Sequence, residues 1–326
     1  MFPLIVPEHL PFSDFLVSLL LISRFSIFEE IDMEFESSNV STDSEDVLPF
    51  EMDHLPDFVL KKCDEELNET SEKKTKVLAL RYMIEEDDIV SGINFEEDFL
   101  VQYLRHSKYD VNKALKHIRN YINLRKKRSY MFESLPDNLL SEQLSNKFIS
   151  IMPKRSPDGC VIVLLQVGKW NLKQLTFDKF MQLNMMLYTQ LLRDEMNQIN
   201  GIRAIYDCKG TSFALLQLCK PQNLYIYNHL LVNCLPTRVK GIHIINESFV
   251  VRLVWPVMKQ LMSEKLRNRV HFHSNRDLFE YFPPHVLPTQ YNGELSDTHL
   301  EEGLAWIRKV NNEHKDNPVE GQPNFY

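Results

Sequence analysis

Glycine is scarce in this chain, nine among 326 residues, and none of the nine falls in a GxGxxG or GxSxG pattern or in GxxxxGK followed by Ser or Thr. The glycine-rich phosphate cradles and the nucleophile elbow that α/β enzymes carry at strand ends are missing, so the chain reads as a non-enzyme. Cysteine pairs are missing too. Cys63, Cys160, Cys208, Cys219 and Cys234 are odd in number and include no CxxC, which points to neither a disulfide framework nor a zinc ribbon and suits a reducing cytoplasm. A net charge of -8 leaves no globally basic surface for nucleic acid. Long apolar runs are absent as well. Residues 16–22 are too short to span a bilayer, and Pro3, Pro7 and Pro11 precede them with no Lys or Arg, unlike a secretory leader.

What is present suits a globular protein of one large or two unequal domains, 44% hydrophobic and 25% charged, without internal repeats. Residues 34–46 are acidic and Ser-rich, and no Lys or Arg occurs between Arg24 and Lys61. That composition makes residues 1–53 a disordered acidic extension, with Met33 and Met52 as alternative starts to Met1. From about Pro56 to Arg128 apolar residues recur at helical spacing, as Val77, Leu80, Ile84 and then Phe99, Tyr103, Leu104. Residues 95–122 read as an αα-hairpin broken at Ser107 to Asp110. The expected units are a helical domain over 54–128, a linker over 129–147 holding one short helix, a second domain over 148–295, and a C-terminal helix and tail over 296–326.

The rhythm changes at Pro153. Residues 160–167 form a run of β-formers without alternation, the pattern of a strand buried on both faces. Strands over 201–207, 239–246 and 269–273 alternate with helices over 176–197, 221–233 and from Glu247, which predicts a largely parallel α/β sheet. A short helix is expected over 277–282, and Ser296 caps a terminal helix.

His271 and His273 alternate on one expected strand with His243 on its neighbour. This spacing fits metal ligands, but polar residues at a sheet margin fit it better. Asp207-Cys-Lys-Gly210 reads as a strand-ending turn that uses its glycine, rather than as a catalytic loop.

The informative segment is 247–262. Phe249, Leu253 and Val257 follow one i, i+4 row and Val250, Val254, Met258 and Met262 the next, leaving mainly Arg252 and Lys259 for water. A buried core helix satisfies this periodicity and is the simpler reading; a mobile cover also satisfies it, and Pro256 loosens the helix in either case. Lys265-Leu-Arg-Asn-Arg269 follows, with Lys265 and Arg269 on one face, and Arg238 and Lys240 open the preceding strand. Such cations form either a phosphate-binding cluster or a solvated, salt-bridged surface.

Asn200-Gly-Ile-Arg-Ala-Ile-Tyr-Asp207, Pro236-Thr-Arg-Val-Lys-Gly-Ile-His-Ile-Ile-Asn-Glu247 and Ser263-Glu-Lys-Leu-Arg-Asn-Arg-Val-His-Phe-His273 resemble the signature blocks of the CRAL-TRIO (Sec14-like) family. Leu287-Pro-Thr-Gln-Tyr-Asn-Gly-Glu294 resembles its Leu-Pro-x-x-Tyr-Gly-Gly close, with Asn292 in place of the first glycine. The likeness runs from about residue 54 to 310 and is strongest to the α-tocopherol transfer protein, retinaldehyde-binding protein and clavesin branch. It implies an all-α N-terminal domain followed by an α/β lipid cage, whose mobile gate is the helix beginning near Glu247. By the same resemblance, a basic cleft of Arg125, Arg238, Lys265 and Arg269, with Lys240 beside them, binds phosphatidylinositol bisphosphate; Arg238 replaces a Lys. The implied cavity wall holds Tyr206, Tyr227, Leu230, Leu231, Leu235, Val239 and Ile242, joined by Phe249, Leu253 and Val257 of the gate. Thr211 stands where the tocopherol carrier has a large aromatic, and polar-for-apolar differences such as Tyr227 reshape the wall, which leaves the ligand open among tocopherol-, retinoid- and phospholipid-like molecules. The resemblance further implies a monomer with no catalytic residue, metal or cofactor, carrying a hydrophobic lipid and docking reversibly on endosomal or other phosphoinositide-bearing membranes from the cytoplasm. A phosphoinositide-reading adaptor with a structural cavity is the alternative.

Overall fold

Four helices open the described part of the chain: α1 (Asp57–Leu67), α2 (Lys73–Glu85), α3 (Glu97–His106) and α4 (Val111–Lys127). The computed structural model describes residues 48–145, 148–273 and 277–317; the readings of residues 1–47 and of the tail past 317 fall outside them. Each helix starts and stops for local reasons. α1 ends at Asn68 in the left-handed region, α3 carries Glu97 and Asp98 in its first turn and Arg105 and His106 in its last, and Asp110 caps α4 by accepting from the Lys113 N–H at 3.1 Å. α3 and α4 form the expected hairpin, turned by Lys108 and Tyr109 at positive φ. Phe95, Phe99, Tyr103, Tyr121 and Phe132 stack ring against ring between them.

The sheet runs β1 (Ile149–Ile151), β2 (Val161–Gln166), β3 (Ile202–Asp207), β4 (Val239–Ile245) and β5 (Val270–His273) in spatial order β1-β2-β3-β4-β5. β1 is antiparallel to β2 and the other pairs are parallel. Every residue of β2 is buried, as its unbroken apolar run requires. The helices are α5 (Asp137–Ser145), α6 (Phe177–Leu191), α7 (Glu195–Asn200), α8 (Pro221–His229), α9 (Phe249–Leu261), α10 (Glu264–Arg267) and α11 (Asp297–Asp316). Gly303 lets α11 lie against β1, since a Cβ there would fall 2.0 Å from the Ile151 carbonyl oxygen.

Four expectations need correcting. The helix read over 176–197 is two, because Asp194 turns the chain and caps α7 by accepting from the Met196 N–H at 2.9 Å. The helix read over 221–233 stops at His229 and continues as a π turn, Leu230–Cys234. The gate spans Phe249–Leu261, with Ser248 as its cap, rather than starting at Glu247. The segment over 277–282 is a 3-10 turn, Asp277–Glu280.

The pleat sorts the sheet into two faces. Ile162, Leu164, Ile205 and Ile245 point into a closed core with Leu278, Phe282 and Leu287. The other face carries Val163, Ala204, Tyr206, Ile242 and Ile244, given the registers Val163↔Ala204, Ala204↔Ile242 and Tyr206↔Ile244.

Candidate functional site

On that second face, Tyr206, Ile242 and Ile244 are only half-buried although they sit on inner strands of the sheet. Tyr227 on α8 behaves likewise, and its hydroxyl lies 2.9 Å from that of Tyr206. Burial pushes both phenols above their usual range. Side chains that lie deep yet keep accessible surface of their own are walls around a space, since a close-packed core leaves no such surface. α8 has no buried residue along its length and α9 has two, Val250 and Leu253.

The expected wall residues divide accordingly. Tyr206, Tyr227, Leu231, Val239, Ile242 and Val257 are half-buried. Leu230 and Leu235 are instead closed off, because the π turn is clamped to the helical domain: Tyr103 donates to the Cys234 carbonyl at 2.8 Å and Asn120 to that of Asn233 at 3.1 Å. Leu253 is buried against Leu216 of the 3-10 turn Phe213–Leu218. Phe249 faces outward, 51% exposed, and pairs with Phe213, 66% exposed, at 5.4 Å between ring centres. Polar ends fasten α9 at its C-terminal turn, where Asn228 donates to the Leu261 carbonyl at 3.1 Å.

The cations gather at the edge where β4 begins. Lys265 is exposed on α10, and its ammonium is held below the usual lysine range first by Arg269, then by desolvation, then by Lys108, Arg238 and Lys240. Mutual repulsion of this kind marks a local positive potential that an anion relieves. The guanidiniums are oriented by backbone: Arg238 donates to the Ile199 carbonyl and Arg269 to that of Val239. Glu66 of α1 enters the cluster, accepting from Arg238 at 3.2 Å and from Lys240 at 3.1 Å. Burial opposes its charge, yet the Lys240 hydrogen bond and the charges of Lys240, Arg238 and Lys62 hold its carboxyl below the usual range.

Arg125 is not among these groups. It lies in the last turn of α4, 5.9 Å from the Phe132 ring centre, whereas Lys108 precedes the first turn. At 1.5 Å per residue that is a separation of roughly 20 Å, beyond the reach of one headgroup. Lys108 takes its place in the cluster, and nothing local in the sequence marks it, because its partners come from β4 and α10. Glu66 went unnoticed for the same reason.

The histidines lie on the closed face. His243 and His273 ring nitrogens approach to 2.9 Å, His271 stacks beside them, and Tyr281 and Phe282 cover the group. Among the described residues no group of His, Cys, Asp or Glu has the arrangement of a metal site. Asp207 ends β3 by accepting from Tyr291 at 2.7 Å, Asn246 at 2.8 Å and the Lys209 N–H at 3.0 Å, with Gly210 at positive φ completing the turn. No helix among the described residues is long and apolar enough to cross a membrane.

The CRAL/TRIO domain model matches residues 145–293. The Mus musculus protein named alpha-tocopherol transfer protein-like is 27% identical over 279 residues, which cover 82% of this chain and 81% of that one. Clavesin-1 of Xenopus laevis is 24% identical over 235 residues, 71% of each chain. The crystal structure of Sfh5 superposes with a TM-score of 0.49 and 14% identity, covering 80% of this chain and 100% of that one. Residues 145–293 thus resemble a CRAL/TRIO domain, and most of the chain is similar to the alpha-tocopherol transfer protein-like proteins and the clavesins.

Proposed function

We propose that this chain carries a single hydrophobic lipid, tocopherol-, retinoid- or phospholipid-like, and exchanges it at membranes that display phosphatidylinositol bisphosphate. The observation that carries this reading is α9, an apolar helix with two buried residues lying beside half-buried walls and next to a cation cluster. Burying a lipid is favourable by about 25 cal/mol per Å² of apolar surface removed from water, so release needs a second apolar phase. A membrane supplies it. Headgroup phosphates pair with Lys108, Arg238, Lys240, Lys265 and Arg269, displacing Glu66, while Phe213 and Phe249 meet the acyl region and α9 opens. Only differential binding of the open form moves that equilibrium.

Charge reversal at the exposed side of the cluster, Lys265→Glu with Arg269→Glu, tests the docking step. Binding to phosphoinositide vesicles is expected to weaken by at least about tenfold through lost charge-assisted contacts, with the lipid content of the protein unchanged. Undiminished vesicle binding contradicts it.

A phosphoinositide-reading adaptor is the second reading. Leu78 and Tyr82, one turn apart on α2 and 67% and 66% exposed, give it an apolar contact for a protein partner away from the cavity. An empty cavity in the purified protein favours that reading over the carrier.

A further inference from the structure

Charge is divided unevenly along this chain. Residues 29–46 hold eight of its 45 acids and no Lys or Arg, which leaves 37 acids against 37 bases in everything else, so the whole excess of -8 sits in this one segment. The cation cluster is the opposite extreme. Among the described residues one carboxylate, Glu66, is ion-paired within it, on Arg238 and Lys240, while Lys108 and Lys265 are exposed and Arg269 is half-buried. Five cations with one acid between them attract further anions, and the Glu66 pairs show that a carboxylate of this chain fits there.

Position brings the two together. The described chain enters at Leu48, whose carbonyl accepts from the Arg155 N–H at 2.8 Å. The Arg155 guanidinium donates to Asn197 on α7 at 2.7 Å, and two residues further along α7 the Ile199 carbonyl accepts from Arg238. Leu48 also packs in one apolar cluster with Ile199 and with Leu67, the neighbour of Glu66. The acidic segment therefore ends beside the cations. Asp43, Glu45 and Asp46 lie within about 17 Å of chain from Leu48, and Glu34 and Glu36 within about 48 Å, so the tether holds these acids near the cluster at an effective concentration of about a millimolar. Another basic run, Lys126 and Lys127, lies at the far end of α4 from Lys108. We propose that residues 34–46 lie across the cation cluster as an intramolecular stand-in for the phosphorylated headgroup, masking it until a phosphoinositide membrane displaces them. The contact stands on charge and position, and its consequence for docking rests on the headgroup reading above. Phosphates displace the segment because they carry more charge at one point and form bidentate pairs with Arg238 and Arg269.

Carbodiimide coupling of the full chain, which joins carboxylates to amines in direct contact, followed by peptide mass spectrometry, tests the contact. Links from Asp43, Glu45 or Asp46 to Lys108, Lys240 or Lys265 are expected, and they should disappear at about 1 M salt, where charges are screened beyond about 3 Å. Their absence, or links to Lys126 and Lys127 in their place, overturns the proposal. Co-sedimentation with phosphatidylcholine vesicles containing phosphatidylinositol bisphosphate tests the consequence. Neutralising the segment by Glu34→Gln, Glu36→Gln, Asp43→Asn, Glu45→Gln and Asp46→Asn is expected to raise vesicle affinity by about tenfold, the summed value of a few exposed pairs. The same five changes made in a Lys265→Glu, Arg269→Glu chain should give no gain. A gain that persists there reports plain repulsion between the segment and the vesicle and overturns the masking, as does unchanged affinity in the five-acid variant. If the links form but neither chain binds the vesicles, the headgroup reading falls while the contact stands.

Discussion

α6 and α9 are both apolar helices crossing between strands of one sheet, yet they are treated oppositely. α6 has six polar residues in fifteen and buries ten, against the 3-10 turn Ser129–Phe132 and α11. α9 has three polar residues in thirteen and buries two, touching α8 and the Phe213–Leu218 turn. The more apolar helix is the less covered one. Composition tells that a helix seeks an apolar partner; it does not tell whether the partner is protein. Where the protein does not cover such a face, a ligand or a membrane is the remaining means of removing it from water.

Mutations in the two helices sharpen this contrast. Met186→Ala in α6 is expected to cost about 3 kcal/mol in urea unfolding, as a fully buried side chain in a closed core should, and Met258→Ala in α9 about 1 kcal/mol or less while lipid retention falls. Equal losses of stability would break the comparison.

Acid should strike the closed side. Burial, then Arg203 at 3.5 Å, then His273 and His271, push the His243 imidazole down to about 2, with Asp158 opposing weakly. Burial and His271 push His273 down to about 4, against Asp277. Both folded-state values lie below the unfolded value of 6.5, so this term is absent above about pH 6.5 and destabilises as pH falls below it, when the unfolded chain takes protons the folded one refuses. By pH 5.5 the pair together contributes on the order of 1 to 2 kcal/mol of lost stability. His243→Gln with His273→Gln should flatten that part of the stability profile, and an unchanged acid slope would remove the histidines from the account.

Smaller effects belong to the open side. Pro256→Ala returns a donor to the Arg252 carbonyl and should slow lipid release by about fivefold in a vesicle-transfer assay. Glu66→Gln removes the anion already paired with Arg238 and Lys240, and affinity for phosphoinositide vesicles should rise by a few fold, the value of one partly exposed pair. A fall in affinity would instead make Glu66 a strut that positions the cluster.

Much of the fold was legible because its signals are local. The αα-hairpin, the unbroken β-former run and the turn at Gly210 are all written within a few residues. β1 escaped because a three-residue edge strand has too little length for a period, and the π turn Leu230–Cys234 because its geometry is set by docking on α4. In the candidate site, Arg238, Lys240, Lys265 and Arg269 come together, whereas Arg125 does not and Lys108 and Glu66 join unannounced. Periodicity made α9 a core helix. Only the half-burial of its neighbours, which depends on what the rest of the chain fails to cover, distinguishes it from one.

Native mass spectrometry of the freshly purified chain, followed by lipid extraction, tests the central claim most directly. The account expects a mass excess of one lipid per chain, and a hydrophobic lipid in the extract. The bare mass of the polypeptide, with nothing apolar in the extract, would contradict it.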